Sequence, residues 1–534
     1  MKIFLLTQFF LSLMVFAHAQ PLGPAYVVYF TDKDNSPYSI NDPSAFLTQA
    51  AIERRAMQGI PIQMDDIPVN ANYLQAISDA GVQVAAVSRW FNMAGVWILN
   101  ENIIPQIEAL PFVLSVEPMG DGSKQKKHKP IENKFSPDCG NHDFIYNSVP
   151  GKRTLNNYFD YGLGLHQIQM INGVSLHNQG YRGQGMVIAV LDAGFRNVDN
   201  NPAFDSLRAH NRILGTRDFV QPGNNVYKPT AHTHGANVLS IMAANLPGQM
   251  IGTAPEASYW LLRTEDHDPP ASPEYLMEEY FWISGAEFAD SVGARVINSS
   301  LGYTEFDDPS QNHTYEDMNG DITPITRAAN RAASKGMLVV NSAGNDGSSD
   351  WYYIIAPADG FDVLAVGAVT ADSTYVPWSS KGPSYDGRVK PDVAAQGAST
   401  RLVNSVGNVV TGSGTSYSSP VIAGMAACLW QSRLDQSNGM VYQAIINSAS
   451  QFLNPDFFTG YGIPDFEQAF TILGSASAIT SKKALIRVYP NPVTSLMKIE
   501  TLKGGDSIKH LTLHDMTGRE LLRRNYSLNY QTSI

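Results

Sequence analysis

Cysteine is almost missing from this chain: Cys139 and Cys428 are the only two in 534 residues. Two cysteines make no disulfide framework, so an apolar core must hold the fold. Cys139 lies in a polar stretch and Cys428 in the apolar run 426–429, where a small buried thiol is the ordinary state. No bond between them is expected. Neither sits in a polar, glycine-rich site, which argues against a cysteine nucleophile. Positive charge is scarce too. Lys and Arg number 37 against 49 Asp and Glu, a formal net charge of −12, and that argues against a nucleic-acid protein, which would need a basic face. Beyond residue 16 no apolar run approaches the roughly 20 residues that span a bilayer.

What is present describes a globular, loop-rich protein. Hydrophobic residues make up 43%, with 43 Gly and 31 Pro, which is not a disordered composition. At about 150 residues per domain, the length implies about three domains. Lys2, the apolar stretch 3–16 (broken by Thr7, Gln8 and Ser12) and Ala17-His18-Ala19 read as a signal peptide over 1–19. A membrane anchor is the rival reading, for which the stretch is short.

Residues 25–118 read as a small α+β unit. Strands are expected at 26–30, 82–87, 95–99 and 112–116, and helices at 44–59, 73–80 and 101–110, close to a ferredoxin-like alternation. Residues 119–150 read as a linker, because Lys124, Lys126, Lys127 and Lys129 sit among polar residues. From 151 to 472 the pattern turns α/β. Apolar runs at 186–191, 294–297, 337–340 and 363–366 alternate with amphipathic segments such as 325–335. That implies a parallel sheet with helices on both faces, whose ligands bind beyond the carboxyl ends of the strands. Residues 485–534 are β-rich, with strands expected at 485–489, 497–499 and 510–514, and no strand is read after Tyr530.

Four polar segments fall where these elements end. Asp192 closes the run 186–191 and leads into Ala193-Gly194. A strand tip holds a carboxylate rigidly, although a turn would use the same residue. His234 precedes Gly235, where a helix starts and the backbone can approach closely. His232 makes a metal pair the rival reading, but His-x-His lacks the i, i+4 geometry of helical zinc sites, and no third ligand accompanies it. No metal is expected in catalysis. Ser416 follows Gly412-Ser413-Gly414-Thr415 and opens an apolar helix, where unpaired N–H groups favour an anion. Pro420 is expected in the first turn of that helix. A serine-rich helix cap is the rival. Asn345, in Ala343-Gly344-Asn345-Asp346-Gly347, could donate to an oxyanion, or could simply be turn chemistry.

Alone, each segment has an ordinary reading. Together, in the chain order Asp, His, Ser, residues 185–472 resemble the subtilase family of serine peptidases. The matching segments are Val190-Leu191-Asp192-Ala193-Gly194, His234-Gly235-Ala236-Asn237-Val238, Ile297-Asn298-Ser299-Ser300-Leu301-Gly302, the Asn345 loop and Gly414-Thr415-Ser416-Tyr417-Ser418-Ser419-Pro420. Ala236, Tyr417 and Ser419 replace the family's commoner Thr, Met and Ala, and none of them is a reacting group. The resemblance implies a secreted endopeptidase in which Asp192, His234 and Ser416 form the triad. Asn345 stabilises the oxyanion, and Ser300, Leu301 and Gly302 bind extended protein or peptide substrates by strand addition.

It further implies that 25–118 is a propeptide inhibitor removed by processing within 119–150. No cofactor is required, but structural calcium belongs to the family pattern. Glu316, Asp317, Asn319 and Asp321 crowd a loop that lacks EF-hand spacing, so a solvated acidic loop is the favoured reading there. The surroundings of Val488-Tyr489-Pro490-Asn491-Pro492 resemble the C-terminal sorting domain of the Bacteroidetes type IX secretion system, in partial form. The secretion machinery is then a partner, reached through the periplasm.

Overall fold

The N-terminal unit follows from strand alternation. β1 (Ala25–Phe30), β2 (Gln83–Ser88), β3 (Met93–Trp97) and β4 (Val113–Pro118) form an antiparallel sheet in the order β2-β3-β1-β4. In β1, Tyr26, Val28 and Phe30 face the unit's own core with Ile77 and Ile107, while Val27 faces away. The helix expected over 44–59 is shorter. Pro43–Ala45 is a separate 3-10 turn, and Thr48 caps the helix Gln49–Met57 by accepting from the Ala51 N–H.

The computed structural model describes residues 23–120, 157–267 and 273–475, together with the strands at 486–489, 498–501, 510–514, 520–525 and 531–533. The segment read as a signal peptide, Cys139 and most of the segment read as a linker lie outside the described residues.

The larger unit is an α/β fold. Its strands are β5 (Val187–Asp192), β6 (Ile213–Asp218), the short hairpin β7 (Asn245–Leu246) and β8 (Met250–Ile251), β9 (Ser258–Arg263), β10 (Val296–Ser299), β11 (Leu338–Ser342), β12 (Val363–Val369) and β13 (Val393–Gln396). Seven of them run parallel in the order β13-β12-β11-β10-β5-β9-β6. Both faces of the sheet are covered, which is why the apolar runs show no polar alternation. Ile188 and Val190 pack on one side, against the helices His234–Ala243, Thr415–Gln431 and Asn438–Asn447. Ala189 and Leu191 pack on the other, against Met277–Ser291 and Pro324–Ser334. The hairpin β14 (Thr400–Val403) and β15 (Val409–Gly412) leads into the helix at Thr415.

The outer face of the N-terminal sheet joins this second core. Trp90, Met93 and Trp97 pack with Tyr280 and Phe281. At the same seam, Asp290 is buried and pairs with Arg54, Arg55 and Arg89, the last two at 2.6 Å. Burial would raise its carboxyl, but Arg54, Arg89 and Arg55 outweigh burial and hold it below the usual range. Glu287 accepts from the Ser88 hydroxyl at 2.5 Å and from the backbone N–H groups of Arg89 and Trp90 at 2.8 and 3.0 Å. Lys335 reaches Asp65 and Asp66 at 2.9 and 2.8 Å.

At the C-terminus, β16 (Ile486–Tyr489), β17 (Lys498–Thr501), β18 (His510–His514), β19 (Glu520–Asn525) and β20 (Gln531–Ser533) form two small antiparallel sheets. β20 lies past Tyr530, where no strand was expected. It is three residues long and exists through pairing with β17, which no apolar pattern signals.

Candidate active site

The carboxyl end of β5 sets the first group. Asp192 is its last residue and is fully buried. Its Oδ1 accepts from the Ala193 N–H and bonds Nδ1 of His234, both at 2.8 Å. With Nδ1–H held by the carboxylate, Nε2 is the basic nitrogen of the neutral ring. His234 opens its helix, and Gly235 is what lets that helix sit on the β5 loop. A Cβ there would lie 2.5 Å from the Gly194 carbonyl oxygen and 2.9 Å from Cβ of Asp192.

His232 does not join His234 as a metal pair. Its Nδ1 accepts from the backbone N–H of His234 at 3.3 Å, and the ring centroids are 6.2 Å apart. Burial, reinforced by His234 and His267, pushes the His232 imidazole down to about 3, so it serves as a neutral acceptor.

Ser416 is the second residue of the helix Thr415–Gln431 and is 6% exposed. Its hydroxyl donates to the Ser300 carbonyl at 3.3 Å, and the Ser300 hydroxyl donates to the Ser416 carbonyl at 2.9 Å. Pro420 lies in the second helical turn and not the first. Because it has no N–H, the Ser416 carbonyl loses its helical i+4 donor, and Ser300 supplies the replacement. Ser419 Oγ donates to Asn298 Oδ1 at 3.0 Å, tying the same helix to β10 once more.

The third group comes from the end of β11. Asn345 Oδ1 accepts from the backbone N–H and the hydroxyl of Thr415 at 2.9 and 3.0 Å, which turns Nδ2 outward from that contact. A Cβ built on Gly414 (φ +148°) would lie 3.7 Å from Asn345 Nδ2 and 3.8 Å from the Ser416 nitrogen. The Asn345 amide, whose Oδ1 lies 3.8 Å from the same point, and the Ser416 N–H thus lie on one side of Gly414. The Tyr417 ring lies 5.8 Å from the His234 ring and seats the histidine beside the Ser416 turn.

Asp192, His234, Ser416, Asn345 and Ser300 are thus drawn together from the ends of three parallel strands and two helices. Leu301 is buried and its carbonyl accepts from Asn341 Nδ2 at 3.0 Å, so it braces the strand. Gly302 lies against Ile355. In the acidic loop Asp317 accepts from the Thr314 N–H at 2.7 Å, and Asn319 accepts from the Asp321 N–H at 3.0 Å. The one group of three or more metal-ligating side chains among the described residues is elsewhere, at buried Glu265, Glu274 and Glu278. Sequence reading missed Thr415, whose hydroxyl had no periodic signal. It also missed Asp346, whose carboxyl is pushed up to about 6 by burial and then by Glu305.

The family profile described as Subtilase family matches residues 183–462, and that of the Peptidase S8 propeptide domain, Bacteroidota, matches 25–134. Subtilisin E of Bacillus subtilis (strain 168) is 29% identical over 305 residues, covering 57% of this chain and 70% of its own length. Serine protease AprX of the same strain is 27% identical over 303 residues, covering 52% of this chain and 64% of its own. Among solved structures, the prenylagaramide maturation protease PagA shares 22% identity over 57% of this chain and 99% of its own, with a TM-score of 0.45.

Proposed function

The chain belongs to the subtilase family of serine endopeptidases, and on that premise we propose that it cleaves peptide bonds through an acyl-enzyme on Ser416. Nε2 of His234 takes the Ser416 proton as Oγ attacks the carbonyl carbon, and returns it to the leaving amine. Asp192 holds Nδ1 and stabilises the imidazolium. Asn345 Nδ2 and the Ser416 N–H stabilise the tetrahedral oxyanion, and water then releases the acyl group by the same steps in reverse. No cofactor takes part.

The observation that carries this reading is the bond from His234 Nδ1 to buried Asp192, with the Asn345 amide and the Ser416 N–H both close to Gly414. The seam around Asp290 supports reading 25–118 as the inhibitory propeptide of a peptidase spanning 151–472, with processing in 119–150. Residues 1–19 then direct export, and 485–534 act as a type IX sorting region, so the enzyme works outside the cell. No helix among the described residues is long and apolar enough to cross a membrane.

A fluorophosphonate probe tests the assignment. Labelling of Ser416 with loss of casein hydrolysis is expected, and Ser416→Ala abolishes both. Hydrolysis that survives Ser416→Ala but not chelation overturns the assignment.

A further inference from the structure

The segments that follow β10 and β11 are joined by a third. Segment 354–356 bridges both walls: the Tyr303 N–H donates to the Ala356 carbonyl at 2.9 Å, and the Ile355 N–H to the Ala343 carbonyl at 3.2 Å. Both walls carry a glycine at this level. A Cβ on Gly302 would meet Ile355 Cδ1 at 2.2 Å and Cγ1 at 2.5 Å, and a Cβ on Gly344 would meet the same two atoms at 3.1 and 3.0 Å. The Ile355 side chain therefore rises between Gly302 and Gly344 and fills the gap that the two glycines leave. It is only half-buried, so it borders open space.

That gap lies where a substrate side chain must go. In the proposed mechanism the carbonyl oxygen under attack would lie at Asn345 Nδ2 and the Ser416 N–H, with its carbon within reach of Ser416 Oγ, itself 3.3 Å from the Ser300 carbonyl oxygen. A residue held there along 300–302 directs its Cβ between the Ser300–Gly302 and Ala343–Asn345 walls. We propose that Ile355 blocks this pocket and restricts the residue supplying the attacked carbonyl to small side chains: glycine, alanine and serine. The proposal rests on Ser416 being the nucleophile and adds the substrate class. A branched four-carbon side chain occupies the volume that a phenylalanine or lysine would need, and overpacking of that kind is rejected strongly.

The test uses the processed, secreted enzyme and matched peptide substrates bearing alanine, phenylalanine or lysine at that position. Alanine is expected to exceed phenylalanine and lysine by at least about tenfold in kcat/KM. Ile355→Gly should reverse the alanine-to-phenylalanine ratio by at least about tenfold, with Ile355→Val between the two. Cut sites in an unfolded protein digested by the wild type give a second readout that needs no variant, and they should follow small residues. Preference for phenylalanine or lysine in the wild type, or an unchanged ratio in folded Ile355→Gly, overturns the proposal. Failure of the probe to label Ser416 at all would instead overturn the nucleophile assignment.

Discussion

Ser300 and Ser416 exchange hydrogen bonds across 116 residues of chain: each hydroxyl donates to the other's carbonyl, at 2.9 and 3.3 Å. The first of these bonds exists because Pro420 cannot donate to the Ser416 carbonyl. The segment after β10 that we propose receives substrate and the turn that we propose carries the nucleophile are thereby held in one register.

Ser300→Ala leaves the Ser416 carbonyl buried without a donor. Stability should fall by roughly 1–3 kcal/mol, and kcat by about tenfold with KM little changed, if a loss of about 1.4 kcal/mol reaches the transition state. Adding Pro420→Ala restores a helical N–H and should recover part of the stability lost in Ser300→Ala. Urea melts and steady-state kinetics on the single and double variants check this.

Asn345→Ala removes one of the two proposed oxyanion donors. A fall in kcat of about 100- to 1,000-fold is expected, the magnitude known for the corresponding amide in subtilisin. KM should stay near the wild-type value, because the bond is made mainly in the transition state.

Gly235→Ala drives a methyl group to within 2.5 Å of the Gly194 carbonyl oxygen. The backbone must yield, at a cost of about 1–3 kcal/mol, and the His234 helix moves off Asp192. A lower melting temperature together with slow fluorophosphonate labelling is the expected outcome.

Asp290→Ala takes the carboxylate partner from buried Arg54 and Arg89, while Arg55 keeps Asp66 at 2.7 Å, which should cost about 3–5 kcal/mol. Melts of the full chain carrying Ser416→Ala, which prevents self-processing, read the loss directly.

The same seam sets an acid limit. Asp290 and Asp66 both lie below the ordinary carboxyl value of 3.8. Burial opposes this at Asp66, but Arg55 and Lys335 prevail. Their contribution is full above 3.8 and is lost as pH falls through the lower folded values. Glu287, raised by burial from 4.5, acts in the opposite sense and weakens the docked state as pH rises through its folded value. The aspartates' hold on the N-terminal unit should therefore be intact above pH 3.8 and fail only below it, as followed by limited proteolysis across the acid range.

Local pattern alone determined much of this protein. Unbroken apolar runs announce strands buried on both faces; Asp192 and Asn345 stand at or just beyond the ends of such runs, and His234 and Ser416 at the starts of helices, because a parallel sheet gathers its chemistry at that edge. Tertiary structure decided what those residues touch. Pro420 read as a first-turn residue because sequence shows its missing N–H but not that the helix begins at Thr415 and that Ser300 waits at the vacated carbonyl. Asp290 carries no signal in the sequence, and folding sets it against Arg54, Arg55 and Arg89, about 200 or more residues away. Ile355 was one apolar residue in a loop until two strand ends placed it between Gly302 and Gly344. These contacts join segments far apart in the chain, and no periodicity or motif spacing encodes a pairing that only the closed sheet brings within hydrogen-bond or van der Waals range.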